Sequence, residues 1–169
     1  YGEDGGLQRQ LEERELSYVG SGPAASQVAF DKVCSKHVFE RYGIPTPSYE
    51  VLRRGDTPRK SPPLVLKPRR QGSSLGLRIV WEPEDLQHGL DQAFGMGDEV
   101  VVEEYIAGRE LTVGIVGEEA LPILEVIPEN GVYSFDAKYQ SGQTRYDVPA
   151  DLPDSVAESC QKVARRAFE

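Results

Sequence analysis

Residues 67–76, Lys67-Pro68-Arg69-Arg70-Gln71-Gly72-Ser73-Ser74-Leu75-Gly76, read KPRRQGSSLG and decide how the rest of the chain is read. The run Leu64-Val65-Leu66 before them reads as a short strand, and Leu77 to Trp81 after them as another. A plain hairpin turn needs about two residues, usually Asn-Gly or Gly-X. This connection is longer, carries a lysine at its entrance, and sets two glycines around two serines at its tip. A loop that folds over a phosphate would look like this, and so would a mobile surface loop. The ten residues alone leave both readings open.

Outward from that loop, composition narrows the field. The chain has 169 residues, 38% hydrophobic and 28% charged, with a net charge of -9. That is enough chain for one domain or two small ones around a sizeable core. A chain this acidic is a poor candidate for nucleic acid, whose binding needs clustered Lys and Arg. A small anion held by a few placed lysines is still compatible. The two cysteines, Cys34 and Cys160, have no metal-like spacing. A disulfide between them stays open, with two buried thiols in a reducing cytosol the simpler reading. No apolar run reaches the roughly eighteen residues of a membrane span, and no signal peptide is visible. A cytoplasmic protein is expected. The sequence starts at Tyr1 and stops at Glu169 inside a helical pattern, so a fragment is also expected.

Along the chain, Asp4 precedes a helical pattern with Leu7 and Leu11 on one face. Ser17 to Val19 reads as short and extended, and Gly20-Ser21-Gly22-Pro23 breaks the chain. Asp31 can cap a helix running to about Tyr42, with Val33, Val38 and Cys34 facing inward. Gly43 closes it at the usual left-handed position, and Pro45 and Pro47 forbid continuation. Tyr49 to Leu52 reads as a strand and Arg53 to Pro63 as a loop. Pro83 starts a helix with Leu86, Leu90, Ala93 and Phe94 on one stripe. Val100-Val101-Val102 reads as a buried strand. Leu111 to Val116 and Leu121 to Ile127 read as a hairpin turning at Gly117-Glu118-Glu119. Asn130 to Gln143 is too long for a tight turn and reads as a functional or disordered loop. Thr144 to Val148 reads as a strand. Ser155 to Phe168 reads as an amphipathic helix with a Ser155-x-x-Glu158 capping box. Antiparallel hairpins with helices between them predict an α+β fold.

Seven segments now stand in order: GEDG, YVGSG, DKxxSK, GIPTP, LVLKPxxxGSSxG, VVVEEYIxGRE and DAKYxxGxTxY. With this spacing, from Gly2 to about Pro149, the chain resembles the D-alanine–D-alanine ligase family of ATP-grasp enzymes. The resemblance implies two α+β subdomains clamping ATP, preceded by the tail of an N-terminal α/β domain. It divides the chain into 1–24, the end of the substrate domain; 25–103, the central subdomain; and 104–169, the start of the C-terminal subdomain. The usual phosphate-loop pattern G-x-x-x-x-G-K-[ST] is absent.

The resemblance also implies roles. Gly72, Ser73, Ser74 and Gly76 match the glycine-rich loop that closes over the phosphates, where backbone N–H groups can face anionic oxygens. Lys67 and Lys32 match two lysines that contact phosphates. Glu103 matches a residue near the exocyclic amine of adenine. Glu104 and Ile106 match linker positions that touch adenine through their backbone, with Tyr105 at the adenine wall. Glu110 matches the carboxylate that accepts from ribose hydroxyls. Read without the family, Glu103, Glu104 and Glu110 would be a solvated strand face. Lys138 matches a lysine that reaches the γ-phosphate, and Tyr139 a residue that closes the site with Ser73. Glu3 matches a position near the first amino-acid site. His37 and His88 match nothing and read as surface or structural residues. Arg69 and Arg70 fall at variable positions.

The implied activity is ATP-dependent ligation of two D-alanines, through an acylphosphate, for peptidoglycan synthesis. Ser73, Lys138 and Tyr139 stand nearest the chemistry. ATP and D-alanine are the implied partners, with no nucleic acid and no membrane, and a homodimer stays open. Magnesium is implied too, but no set of oxygen ligands for it is found in this chain. Its ligands are expected outside these residues, and the chain alone is expected to be inactive. Two rivals remain: another ATP-grasp carboxylate–amine ligase, and a nucleotide-binding module without catalysis.

Overall fold

The structure, a computed structural model, describes residues 2–129, 131–139 and 144–169. The chain divides into two compact units, Tyr1–Tyr105 and Ile106–Glu169.

The first unit is built on four antiparallel strands: β1 (Tyr49–Arg53), β2 (Leu64–Pro68), β3 (Arg78–Val80) and β4 (Glu99–Glu104). They lie in the order β1-β4-β2-β3. Strand β2 alternates, burying Leu64, Leu66 and Pro68 on one face and half-burying Val65 and Lys67 on the other. A strand has period two, so this alternation assigns the faces. Central strand β4 is covered on both sides, and Val100, Val101, Val102 and Glu103 are all buried.

One face of the sheet packs on helix α4 (Leu86–Phe94), which follows a turn of 3₁₀ helix at Pro83–Asp85. Leu52, Leu64, Leu66, Val80, Leu90, Ala93, Phe94, Val100 and Val102 form the core there. Gly89 brings the helix close, since a Cβ at that position would lie 3.0 Å from both Leu66 and Val80. Burying a side chain such as Leu66 contributes about 1.5–3 kcal/mol relative to exposure.

The register pairs Lys67 with Val101 and Val65 with Glu103. Paired residues share a face, so Lys67 and Glu103 stand together opposite the apolar core. This is the face that carries the charged groups described below.

Three helices precede the sheet: α1 (Gly6–Glu13), α2 (Pro23–Phe30) and α3 (Lys32–Arg41). Asp4 supports the start of α1 by accepting from the Gly6 amide at 2.9 Å, with Gly5 in the capping position. Ser17 to Val19 joins no strand. Helix α2 was not expected; Pro23 occupies its first turn, where a missing N–H costs nothing. Asp31 caps α3 as expected, accepting from the Val33 and Cys34 amides. Gly43, at φ 63°, closes α3, with its N–H on Glu40 O and the Ile44 N–H on Phe39 O. The expected inward face of α3 needs correction. Val33 is buried and Cys34 half-buried, but Val38 is exposed and Lys36 is buried in its place.

In the second unit, β5 (Glu110–Thr112), β8 (Leu124–Pro128) and β9 (Thr144–Asp147) form a sheet in the order β5-β8-β9. Strands β6 (Ile115–Val116) and β7 (Glu119–Ala120) pair separately. The expected hairpin is therefore present but split into two ladders. The expected loop before β9 contains the short helix α5 (Phe135–Tyr139), where Ser134 Oγ accepts from the Ala137 amide at 3.2 Å. Asn130 and residues 140–143 of that loop lie outside the described residues. Helix α6 (Asp154–Phe168) starts one residue earlier than expected, with Pro153 in the capping position. Ser155 thus sits inside the first turn, and the expected capping box is replaced by amides of Val156 and Ala157 on Pro153 O. Buried side chains here are few: Ala120, Ile123, Val126 and Ala137. Cys34 and Cys160 are free thiols, both half-buried. Among the described residues no helix is long and apolar enough to cross a membrane.

Candidate functional site

Lys32 opens α3, and its ammonium reaches the root of the glycine loop. It donates to Pro68 O at 3.0 Å and Gln71 O at 2.6 Å, while its amide donates to Arg69 O. Burial and the positive charge of Lys67 hold its pKa below the ordinary lysine range, against the pull of Glu103, Asp31 and Glu3. Lys67 meets Glu103 Oε2 at 2.5 Å. Lys32, Lys67 and Glu103, three of the sequence candidates, are thus gathered on one side of the first unit.

The loop itself answers the question its sequence raises. Ser73 and Ser74 have φ of 53° and 58°. Gly72 O accepts from the Leu75 amide at 3.0 Å. Positive φ at both central positions with this bond is the signature of a type I′ turn, which favours Asn and Gly. Serines in that conformation are strained by about 1–3 kcal/mol each, a feature that clusters at ligand sites. Gly76 continues the left-handed path at φ 71° with Pro68 against it. A Cβ on Gly72 would fall 1.8 Å from the Glu3 carboxylate, so Glu3 lies directly against the loop.

Glu103 is buried, so the alternative of a solvated acidic face fails at this position. Its second oxygen, Oε1, meets Lys36 Nζ at 3.1 Å. Lys36 also donates to Thr46 Oγ1 at 2.7 Å and Pro47 O at 2.9 Å, and lies 4.6 Å from the centre of the Tyr49 ring. Sequence reasoning missed Lys36. Its signal was the spacing from Lys32, because residues four apart share a helix face. Glu104 is exposed, and its carboxylate accepts from the Ser48 amide. Its own amide is taken by Ser48 O, so a ligand contact through its backbone must come from the carbonyl. Tyr105 packs edge-on against Trp81, with ring centroids 4.7 Å apart.

Arg69 and Arg70 are not idle positions. Arg69 Nε donates to Asp31 Oδ1 at 2.7 Å and its Nη1 to Glu99 at 2.6 Å; Arg70 Nε donates to Asp31 Oδ2 at 2.8 Å. Burial by itself would raise the Asp31 pKa. The two guanidiniums and the Cys34 amide outweigh it and hold the carboxyl well below its usual range. One aspartate therefore caps α3 and anchors the strand end from which the loop departs.

In the second unit, Ile106 and Glu110 are exposed, Glu110 on β5 and Ile106 just ahead of it. Lys138 lies on α5, its Nζ 5.0 Å from the centre of the Tyr133 ring. Tyr139, also exposed, stacks at 4.8 Å on Phe135. Tyr133 and Tyr146 share a hydrogen bond of 2.9 Å between their hydroxyls. That bond, then burial and the charges of Tyr146, Glu110 and Tyr139, push the Tyr133 phenol up to about 12. Sequence reasoning missed this tyrosine pair. His37 and His88 are exposed. Among the described residues no group of three or more His, Cys, Asp or Glu could hold a metal ion.

The family model described as D-ala D-ala ligase C-terminus matches residues 38–169. A D-alanine–D-alanine ligase of Syntrophotalea carbinolica is 44% identical over 172 residues, which are 100% of this chain and 56% of the relative. The crystal structure of D-alanine–D-alanine ligase from Bacillus anthracis complexed with ATP superposes with a TM-score of 0.81 at 29% identity, covering 99% of this chain and 55% of that one. The VanG D-Ala:D-Ser ligase of Enterococcus faecalis gives a TM-score of 0.83 at 25% identity, covering 99% and 52%. The chain spans about half the length of the curated relatives it matches.

Proposed function

This chain belongs to the D-alanine–D-alanine ligase family and has its α+β, ATP-grasp fold, and from that premise we propose that the whole protein joins two D-alanines at the expense of ATP, for peptidoglycan synthesis. The observation that carries this reading is the charge gathered on one side of the first unit. Lys32, Lys36 and Lys67 surround a single buried carboxylate, Glu103, beneath a strained Gly/Ser turn. Positive charge in excess of its partners, next to a Gly/Ser turn, suits a polyphosphate.

In the proposed reaction the carboxylate of the first D-alanine attacks the γ-phosphorus, and ADP leaves. The amine of the second D-alanine then attacks the acyl carbon; phosphate leaves and the amine loses a proton. Lys67 and Lys32 neutralise the phosphates, and the turn at Ser73 and Ser74 turns its amides toward them. Glu103 and the carbonyl of Glu104 read the adenine amine, Ile106 contacts the ring through its backbone, and Glu110 accepts from the ribose. Lys138 reaches the transferring phosphoryl group. Tyr139 in the second unit and Ser73 in the first are each assigned to excluding water that would hydrolyse the acylphosphate. Magnesium is part of this reading, but the described residues do not offer it a ligand set. We assign residues 1–24 to the end of a substrate domain, 25–103 to the central subdomain and 104–169 to the C-terminal one. A cytoplasmic location follows from an ATP-consuming reaction.

Lys67→Ala in the whole protein tests the assignment. A hydrogen bond to a charged group contributes about 1.5–3 kcal/mol, on the order of ten- to a hundredfold in affinity. ATP binding should fall by that factor while adenosine binding holds. Equal losses for both would give Lys67 a purely structural role. The likeness to a D-Ala:D-Ser ligase keeps a second amine substrate in view. Assaying the whole protein with D-serine beside D-alanine decides between them.

A further inference from the structure

We propose that Lys36, sealed away from any ligand, is the positioning residue that aims the Glu103 carboxylate and sets recognition of the adenine amine; this rests on the nucleotide site proposed above. The two cations on Glu103 differ in what they can do. Lys67 is 27% exposed and can exchange its carboxylate for a phosphate; Lys36 is 5% exposed and cannot reach one. Its three donors already have partners in Thr46, Pro47 and Glu103. Two of those partners fix Lys36 to the segment just before β1, so the ammonium is a rigid point against which Glu103 Oε1 is held. A buried carboxylate without a partner is costly. When Lys67 turns to a phosphate, Lys36 keeps Glu103 paired and in place, with Oε2 freed for the amine. Without Lys36, Glu103 retains Lys67 as its only cation partner, and it ceases to accept from the amine.

The test compares ATP with purine riboside triphosphate, which lacks only the exocyclic amine, by calorimetry on the whole protein. Unsubstituted protein should prefer ATP by about tenfold or more, as expected for a hydrogen bond to a charged acceptor. Lys36→Met should bring the ratio close to one, and Lys36→Arg should retain most of it. A merely structural Lys36 would weaken both nucleotides equally and leave the ratio unchanged; that result overturns the proposal. Thr46→Val removes one anchor without altering charge. It should lower the ratio several-fold, and it decides the matter by the same criterion if Lys36→Met does not fold. If the unsubstituted protein shows no preference, the adenine role of Glu103 fails and the inference falls with it. A clear preference that survives Lys36→Met and Thr46→Val defeats the inference alone.

Discussion

Lys36 and Lys138 are both lysines with proposed roles, and the two units hold them in different ways. Lys36 is buried under a four-stranded sheet and satisfied by a carboxylate, a hydroxyl and a carbonyl. Lys138 rides on a five-residue helix and faces the ring of a half-buried tyrosine. The contrast extends to some of the other charges, although Arg53 and Arg59 of the first unit also pair while exposed. In the first unit Asp31 and Glu103 are buried among their cations. In the second, Arg109 pairs with Glu125 while 45% exposed, and Arg145 with Asp147 while 71% exposed. Buried pairs fix geometry because leaving either partner alone is expensive; exposed pairs contribute little and exchange freely. The first unit is thus built to present charge at set positions. The second carries its lysine on an element with few buried contacts, the kind of element that opens locally at low cost.

The sharpest way to break this comparison is to remove each lysine. Lys36→Met should destabilise the protein by about 3–5 kcal/mol, the cost of leaving one member of a buried pair. Lys138→Met should barely move a urea transition and should show its effect in turnover. Comparable shifts in the two transitions would dissolve the distinction.

Two glycines sharpen it at the backbone. Gly76 and Gly131 have nearly the same φ, 71° and 70°. Alanine in that region costs roughly 1–2 kcal/mol at either place. At Gly76 the new Cβ would also lie 2.7 Å from Pro68, whereas at Gly131 nothing lies within 4 Å. Gly76→Ala should therefore lower the melting temperature more than Gly131→Ala. The excess measures packing alone, and equal shifts would mean the loop root is as yielding as the second unit.

Acid provides the smallest contrast. Asp31 and Glu125 both have depressed pKa values. For Asp31 its arginines outweigh burial; for Glu125 the Arg109 hydrogen bond is the leading cause. A carboxylate depressed on folding adds stability that is complete above its unfolded pKa, 3.8 for Asp31, and is lost as pH falls toward the folded value. Below that pH the unfolded chain takes up the proton first, so stability declines. Asp31→Asn should flatten the decline between about pH 4 and pH 2. Glu125→Gln should change it less, since its partner is open to solvent. Denaturant titrations across that range would show it, and equal flattening would put the two carboxylates on the same footing.

Much of the fold could be read from local pattern. The alternation in Leu64–Pro68, the aspartate and glycine at the two ends of α3, and the stripe on α4 each act over a turn or two, so the sequence carries them directly. Motif order carried the family, and with it the expectation of a phosphate loop at Gly72–Gly76. Other features depended on partners far along the chain. That residues 32 and 36 share a helix face follows from spacing. That one lysine reaches the loop while the other lies beneath β4 depends on where α3 rests against the sheet. Arg69 and Arg70 looked variable because Asp31 and Glu99 lie some thirty to forty residues away. Val38 has the pattern of an inward residue, yet the covered face of α3 runs through Lys36. Glu103 has the sequence of a surface acid and the environment of a core residue, because two lysines from separate elements meet it there. Periodicity fixes which side chains point the same way, but only the packing of distant segments decides which of those directions is dry.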